Sequence, residues 1–166
     1  MKIRRLSTKD LADVARIQRE CYSGHFIESV ESFAAKLSAH ADFSFVAESG
    51  GVAVGYVVAF PWTFGEVPEL GGLDYTPAPD TDSLYLHDLA VIPAARRSGA
   101  ADRLFDAVLG AARSAGLERI FLVAIGTASR YWRRHGFEVV EVDEMLERRL
   151  EGYGAGATYM ARAVAT

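Results

Sequence analysis

The sequence predicts a single α/β domain over residues 1–166, with a sheet that mixes antiparallel and parallel strands. Half of the 166 residues are apolar. A chain of this length buries roughly 68–70% of its unfolded surface, enough for one core without disulfides. A glycine-rich turn between two apolar segments predicts an antiparallel hairpin, and a strand–helix–strand pattern in the second half predicts a parallel pair. No repeat or low-complexity linker divides the chain.

The charge and cysteine content exclude several classes of protein. The 18 Lys+Arg and 22 Asp+Glu residues give a formal net charge of −4, and no basic block is longer than a pair. Nucleic acid is therefore not an expected partner. The single cysteine, Cys21, forbids an intramolecular disulfide and a thiolate zinc site, so no metal is expected. We interpret Cys21 as a small core residue rather than a nucleophile.

Neither a membrane span nor a secretion signal is expected. The longest uncharged stretch, residues 49–65, contains glycines and Pro61, and it falls short of the ~20 apolar residues that a spanning helix needs. Residues 1–5 enter a charged segment without the apolar run of a signal peptide. The sequence therefore predicts a cytoplasmic protein with no membrane partner.

The first half of the chain predicts a strand, two helices and a hairpin. A strand near residues 3–6 precedes a segment from Ser7 to Asp10 that is similar to a capping box, with Asp10 in place of the usual glutamate. Apolar residues at helical spacing then predict two helices. The first helix carries Leu11, Val14, Ala15, Ile17 and Cys21 on one side, and the second, over residues 29–40, turns Val30, Phe33, Ala34 and Leu37 inward. The hairpin strands are predicted over residues 43–48 and 52–60.

The second half predicts alternating strands and helices after an irregular segment. Residues 61–82 hold four of the chain's five prolines, and a connection of that length is usually functional or mobile. Beyond it the apolar patterns predict strands over residues 83–91, 119–125, 137–142 and 158–164, and helices over residues 99–115 and 127–135. The run 119–125 is apolar without a break after its first residue, which is typical of a strand buried on both faces.

The loop that joins the strand at 83–91 to the next helix has the features of an anion site. The first turn of a helix presents unpaired amides and the positive end of the dipole. Here that turn begins in Arg96-Arg97-Ser98-Gly99-Ala100-Ala101, where glycine permits a tight turn and the alanines keep the wall low. A pyrophosphate fits such a site. The alternative is an ordinary helix start with solvated arginines.

Two motifs at the right spacing resemble the GNAT superfamily of N-acetyltransferases. Val91-Ile92-Pro93 followed by residues 96–101 is similar to the family's acetyl-CoA loop, and residues 128–137 are similar to its Ala-x-x-Phe-Tyr-x-x-x-Gly-Phe motif. The resemblance implies a GNAT fold, with a mixed, mostly antiparallel central sheet flanked by about four helices. It also implies acetyl-CoA as co-substrate and transfer of its acetyl group to a primary amine by direct attack in a ternary complex.

The resemblance assigns the cofactor-binding residues. Main-chain groups of Leu89, Ala90 and Val91 would pair with the pantetheine arm as an added strand does, and an amide near Leu89 or Ala90 would polarise the thioester carbonyl. Residues 96–101 would hold the pyrophosphate. Trp132 would pack along the CoA chain and Arg134 would contact a CoA phosphate. The alternatives are a core role for Trp132 and a helix-dipole role for Arg134.

The base is predicted at His87 or Asp88. The family often places an acidic base on this strand, and we favour His87 because an imidazole titrates near neutral pH. Adjacent strand residues face opposite sides of a sheet, so only one of the two enters the cleft unless a bulge intervenes. Asp88 could instead orient an amide or hold the incoming ammonium.

The general acid is the point at which the sequence departs from the family. The family's tyrosine position is occupied by Trp132, whose indole supplies no proton. Three alternatives stay open: Tyr131 protonates the sulfur, another group such as Tyr85 or a water does, or no acid is needed because a thiol ionises near neutral pH.

The charge distribution indicates a cationic acceptor. Residues 61–82 contain five acidic residues and no basic one, and an acidic rim steers amines inward. The acceptor is predicted to be a small molecule or a protein amine. A non-catalytic acyl-CoA sensor or partner-binding module, and an enzyme with another acyl donor, are the alternatives. Exposed edge strands make a homodimer plausible.

Overall fold

One seven-stranded sheet organises the protein. The structure is a computed structural model and describes residues 1–69 and 71–165. The strands are β1 (Lys2–Arg5), β2 (Phe45–Ser49), β3 (Val52–Pro61), β4 (Ser83–Val91), β5 (Arg119–Ala124), β6 (Glu138–Val139) and β7 (Thr158–Ala163), in the sheet order β1-β2-β3-β4-β5-β7-β6. In this part of the chain β4 and β5 are parallel, and all other neighbours are antiparallel. The predicted mixed, mostly antiparallel sheet is therefore confirmed.

Five α-helices cover the sheet among the described residues. They are α1 (Leu11–Cys21), α2 (Val30–Ala39), α3 (Ala100–Ser114), α4 (Ala128–Arg134) and α5 (Glu144–Glu151). A short 3-10 turn precedes α1, and Asp10 Oδ2 accepts a hydrogen bond from the Ser7 amide at 2.9 Å, which confirms the capping box. The second helix begins one residue later than predicted, and Val30 in its first turn is exposed instead of buried.

The fifth helix was not predicted, because its sequence carries a weak apolar signal. Only Leu146 and Leu150 are buried along α5, and charged residues fill most other positions. Asp143 caps its start by accepting a hydrogen bond from the Leu146 amide at 2.8 Å. The strand predicted over residues 137–142 shortens to β6, because the chain leaves the sheet edge before α5.

The core lies on both faces of the sheet. On one face, α3 contributes Leu104, Phe105 and Val108, and α4 contributes Trp132. On the other face pack the apolar sides of the remaining three helices, represented by Ile17, Phe33, Leu37, Leu146 and Leu150. The sheet is thus a middle layer, and a gap between two of its strands opens on both helical layers.

Such a gap exists between β4 and β5. Their parallel pairing covers only Ser83–Tyr85 on β4 and the facing start of β5, and the strands separate beyond it. The other edge of β4 stays paired with β3 as far as Val91. One register shift interrupts that pairing: Val58 faces Asp88, and the next residue of β3, Ala59, faces Leu86. Residue 87 is therefore the extra residue of a β-bulge.

Candidate active site

A cavity of about 260 Å³ lies where β4 and β5 separate. Its apolar wall comes from both strands and from α4, and includes Leu86, Leu89, Leu122, Ala124, Ala128 and Trp132. Its polar wall consists of Tyr22, Glu28, Tyr85, His87, Asp88 and Tyr153. A mostly apolar cavity with a few convergent polar groups is the usual form of a small-molecule site.

The bulge at residue 87 brings both predicted bases to this cavity. In a regular strand His87 and Asp88 would face opposite sides of the sheet. Because the bulge adds one residue to β4, the alternation is interrupted, and both side chains line the cavity. A regular strand would place only one of the two side chains in the cavity, and the bulge places both there. Bulges are common next to active sites.

His87 forms a close contact with a residue from another part of the chain. Its Nε2 lies 2.5 Å from Oε2 of Glu28, in the segment between α1 and α2. The second oxygen of Glu28 accepts from Nζ of Lys36 at 2.7 Å. Burial by itself would raise the pKa of Glu28, but the charges and hydrogen bonds of His87 and Lys36 outweigh it and lower that pKa to about 2. Glu28 is therefore an ionised carboxylate at neutral pH.

Asp88 is held by two tyrosine hydroxyls. Tyr22, which ends α1, donates to Oδ1 at 2.6 Å, and Tyr56 of β3 donates to Oδ2. Burial raises the pKa of Asp88, while the charge of His87 and the tyrosine hydrogen bonds oppose that rise. Both oxygens of this half-buried carboxylate are thus already engaged by protein donors.

The loop before α3 has the backbone conformation that an anion site needs. Gly99 has φ of +83° and precedes the first residue of α3, and Arg97 has φ of +66°. The Ser98 amide donates to the Ala95 carbonyl at 3.3 Å, and the Arg103 amide begins the helical series by donating to Gly99 at 3.1 Å. Within the described chain, the amides of residues 97, 99 and 101 donate to no acceptor. Part of the predicted set of amides is therefore free to bind a ligand.

The end of β4 offers a strand edge beside the cavity. Leu89 lines the cavity, Ala90 is buried, and β5 no longer pairs with this part of the strand. The Cys21 thiol donates to the Val91 carbonyl at 3.3 Å, and burial raises the pKa of this thiol. Cys21 is half-buried against the strand, in agreement with a packing role.

Tyr131 and Trp132 are adjacent on α4, so their side chains point in different directions. Trp132 lines the cavity and packs edge-on against Phe105 and Phe137. The Tyr131 hydroxyl instead donates to Asp102 of α3 at 3.0 Å, away from the residues that line the cavity. This placement gives no support to the predicted role of Tyr131 as the acid. Arg134 is exposed, with its guanidinium 5.8 Å from the centre of the Tyr131 ring.

Four polar residues of the site escaped the sequence analysis. Glu28 and Lys36 pair around His87, and Tyr22 and Tyr153 line the cavity. One signal was present: Lys36 lies between Phe33 and Leu37 on the apolar side of α2, and a lysine in such a place needs a buried partner. The other three lie at the ends of helices or beyond them, where periodicity gives no information.

Several solved structures share the fold of this protein. Ard1 from Thermoplasma volcanium is 20% identical, covers 99% of this chain and 98% of its own, and has a TM-score of 0.75. The loading GNATL domain of CurA from Lyngbya majuscula is 13% identical, with coverage of 98% and 97% and a TM-score of 0.81. The ribosomal-protein-S18-alanine N-acetyltransferase from Escherichia coli is 16% identical, with coverage of 99% and 94% and a TM-score of 0.71. No curated protein sequence matches the chain.

The sheet opens between β4 and β5, and the candidate site lies in that opening. A sequence model of the Acetyltransferase (GNAT) family matches residues 11–137, and the chain belongs to that family. Several structures with the same fold contain coenzyme A, among them a PaiA N-acetyltransferase from Thermoplasma acidophilum. No helix in the described part of the chain is long and apolar enough to cross a membrane.

Proposed function

We propose that this protein transfers the acetyl group of acetyl-CoA to a primary amine, by direct attack of the amine in a ternary complex. The observation that carries the proposal is the bulge in β4, which directs His87 and Asp88 into a cavity beside an unpaired strand edge. Family membership supports acyl transfer in general. The polar groups at the cavity supply what attack by an amine requires.

Acetyl-CoA would bind along the end of β4 and the start of α3. Main-chain groups of residues 89–91 would accept the pantetheine arm, and the free amides of residues 97, 99 and 101 would hold the pyrophosphate. Trp132 would pack against the chain near the thioester, and Arg134, exposed at the end of α4, would contact a phosphate. An amide near Leu89 or Ala90 would stabilise the oxyanion of the tetrahedral intermediate.

His87 is the base in this proposal. An alkylammonium is about 4.6 kcal/mol from its neutral form at pH 7, so a group that accepts its proton speeds the reaction. Nδ1 of His87 has no hydrogen-bond partner among the described residues, and because it is buried the ring must shift to expose it before an amine can reach it. Both oxygens of Asp88, in contrast, accept from tyrosines. Asp88 therefore attracts and orients the ammonium, and His87 removes the proton.

The thiolate leaves without a general acid in this proposal. Three tyrosines line the cavity, namely Tyr22, Tyr85 and Tyr153. Burial raises the pKa of Tyr153 to about 12 and raises the pKa values of Tyr22 and Tyr85 as well. Proton transfer from a phenol of pKa near 12 to a thiolate would be uphill by roughly 5 kcal/mol. The nitrogen–carbon bond forms, the carbon–sulfur bond breaks, and the CoA thiolate departs as an anion.

The acceptor is proposed to be a cationic small molecule or protein amine. Asp88 at the cavity attracts a positive charge, and exposed acids of the 61–82 segment, such as Glu66 and Asp80, extend that field outward. A homodimer through the edge strands β1 and β6 stays a prediction.

The test is release of CoA thiol from acetyl-CoA across a panel of amines. We expect turnover with a subset of primary amines and a loss of about 10²-fold or more in His87→Gln. The matched control is His135→Gln, because His135 pairs with Asp102 away from the cavity and its replacement leaves turnover unchanged. Equal activity in the two variants would contradict the role of His87.

A non-catalytic acyl-CoA sensor is the second candidate function. It is favoured because Trp132 occupies the position of the family's tyrosine and because the Tyr131 hydroxyl donates to Asp102 instead of facing the cavity. Binding of CoA without turnover on any amine would establish it. A third outcome is preference for another acyl donor. Isobutyryl-CoA, which is bound in a GNAT-like decarboxylase with the same fold, is the donor to compare with acetyl-CoA.

A further inference from the structure

We propose that Glu28 and Lys36 are positioning residues that hold His87 as the neutral tautomer with its proton on Nε2, which makes Nδ1 the atom that accepts the proton of the amine. The role of Nδ1 in catalysis rests on the proposed function. The tautomer is a property of the free protein and can be measured without any substrate.

The contacts of His87 determine where its proton lies. Nε2 is 2.5 Å from Oε2 of Glu28, and an ionised carboxylate only accepts hydrogen bonds. The proton between them therefore belongs to Nε2. Nδ1 has no partner in the described part of the chain, although it is buried. A neutral imidazole with Nε2–H leaves a lone pair on Nδ1, and an amine reaches that lone pair once the ring shifts enough to expose it.

Lys36 balances the negative charge that Glu28 places beside His87. An isolated carboxylate at this distance would favour the imidazolium form, which has no lone pair to accept a proton. Lys36 Nζ lies 2.7 Å from the other oxygen of Glu28 and balances its charge. Because the side chain of Lys36 is only 1% exposed, water screens this charge little. The Lys36–Glu28 pair is therefore neutral as a whole and still orients the ring.

The two partners are themselves fixed by packing. Lys36 donates to Ser32 Oγ at 3.1 Å and lies 5.0 Å and 4.9 Å from the ring centres of Phe33 and Tyr75. The backbone of Glu28 is bound on both sides by the buried amide of Gln18: Oε1 accepts from the Glu28 amide at 2.9 Å, and Nε2 donates to its carbonyl at 3.3 Å. A residue between two helices is thus held as firmly as one inside a helix.

Other ionisable groups near His87 do not replace this pair. Asp88 follows on β4, and its carboxylate is engaged by hydroxyls. Tyr85 packs against the His87 ring, and His40 lies on the far side of Phe60, which also packs against that ring. The other titratable groups of the cavity and of the adjoining core are phenols: Tyr22, Tyr56, Tyr75 and Tyr153. Glu28 is the carboxylate that contacts the imidazole directly, and Lys36 is the cation that balances it.

The first test is nitrogen-15 NMR of the imidazole in the unliganded protein at pH 8. Two-bond proton–nitrogen correlations distinguish the tautomers, and we expect His87 to be neutral with its proton on Nε2. In Glu28→Gln the carboxylate no longer fixes the proton, and we expect signals of both tautomers. A proton on Nδ1, or protonation of both nitrogens at pH 8, would overturn the inference. This result does not depend on acetyl transfer. A failure of the tautomer assignment can therefore be distinguished from a failure of the proposed function.

The second test is the pH profile of kcat/KM. Lys36→Met leaves the charge of Glu28 unbalanced, and we expect the acidic limb to move to higher pH by roughly one pH unit or more. Glu28→Gln moves it to lower pH, and the double variant returns near the wild-type profile. Lys9→Met, which removes an exposed lysine, is the control. Lower rates at every pH with an unmoved limb would show a merely structural role and overturn the proposal. If Lys36→Met does not fold, two measurements on Glu28→Gln decide the question: the acidic limb of its pH profile and the tautomers of its His87 ring in the NMR spectrum.

Discussion

The hydroxyl of Tyr22 lies 2.6 Å from Oδ1 of Asp88 and joins the end of α1 to the middle of β4. The same hydroxyl is 3.4 Å from the Leu89 carbonyl, so one phenol contacts two consecutive residues at the cavity. Tyr56 binds the other carboxylate oxygen from β3. Two tyrosines thus take the place of water around a half-buried acid, which fixes the carboxylate next to His87.

Replacing Tyr22 with phenylalanine tests how much this contact stabilises the fold. Hydrogen bonds to buried charged groups contribute about 1.5–3 kcal/mol, so we expect Tyr22→Phe to lower the free energy of unfolding by that amount in urea titrations. Tyr131→Phe is the control, because its hydroxyl bonds to the exposed Asp102 and its loss costs less than about 1 kcal/mol. Similar losses in the two variants would contradict the charged contact.

The stability of the protein at acid pH depends on Glu28. Its pKa is lowered from 4.5 to about 2 in the folded state by His87 and Lys36. An acid with a lowered folded pKa stabilises the fold above its unfolded pKa, and this stabilisation is lost as the pH falls from about 4.5 towards 2. The effect amounts to roughly 3 kcal/mol. We expect Glu28→Gln to show a smaller loss of stability over that range.

Urea midpoints between pH 7 and pH 3 provide the measurement. Glu20→Gln is the matched control, because Glu20 is exposed and its ion pair with Arg16 is a surface contact. We expect that control to follow the wild-type curve. An acid-induced loss in Glu28→Gln as large as in the wild type would show that the Glu28 ion pairs do not stabilise the fold.

Gly99, at the start of α3, can be compared with a glycine inside the same helix. Its positive φ strains any other residue by about 1–2 kcal/mol, although an added Cβ would meet no atom within 4 Å. We expect Gly99→Ala to destabilise the protein and to weaken acetyl-CoA binding in calorimetry by up to about tenfold.

Gly110 in the body of α3 is the control for that substitution. It has open space around it and no positive φ, so Gly110→Ala should stabilise the helix by about 0.5–1 kcal/mol and leave acetyl-CoA binding unchanged. Opposite signs in the two variants are expected. Undiminished affinity for acetyl-CoA in Gly99→Ala would count against the proposed pyrophosphate site.

Tyr153 tests whether the leaving thiolate needs an acid. Its hydroxyl donates to the Pro68 carbonyl at 2.7 Å, and its pKa is raised by burial to about 12. We expect Tyr153→Phe to change kcat by less than about tenfold, since removal of a general acid costs about 10²–10⁴-fold. Tyr159→Phe, which loses a comparable bond to the Glu66 carbonyl, gives the baseline for a purely structural change. A drop of 10²-fold in Tyr153→Phe alone would identify it as the acid.

Local sequence patterns predicted the framework of the site well. The strand over residues 83–91 and the parallel pairing of β4 with β5 are confirmed. Gly99 takes the predicted place at the start of α3, where the backbone has a positive φ that suits glycine. The strand and the turn depend on neighbouring residues, and the parallel pairing follows from the strand–helix–strand order, so the sequence reveals all three.

The side chains that surround the predicted base could not be predicted in this way. Whether Tyr131 or Trp132 faces the cavity depends on the rotation of α4, which is fixed by packing of Trp132 against Phe105 and Phe137. The helix α5 is stabilised by two buried leucines that meet the core only after folding. Neither fact has a local signature.

The sequence alone determined the family, the order of strands and helices apart from α5, and the loop with free amides, since each follows from periodicity, turn chemistry and motif spacing. Tertiary structure decided the rest of the site. The bulge that turns both His87 and Asp88 into the cavity depends on the register between β3 and β4. The pairing of Glu28 with Lys36 and His87 depends on how the segment between α1 and α2 packs on the sheet. Register and packing are set by contacts between distant residues, and for that reason only the folded chain shows which groups share one proton-transfer site.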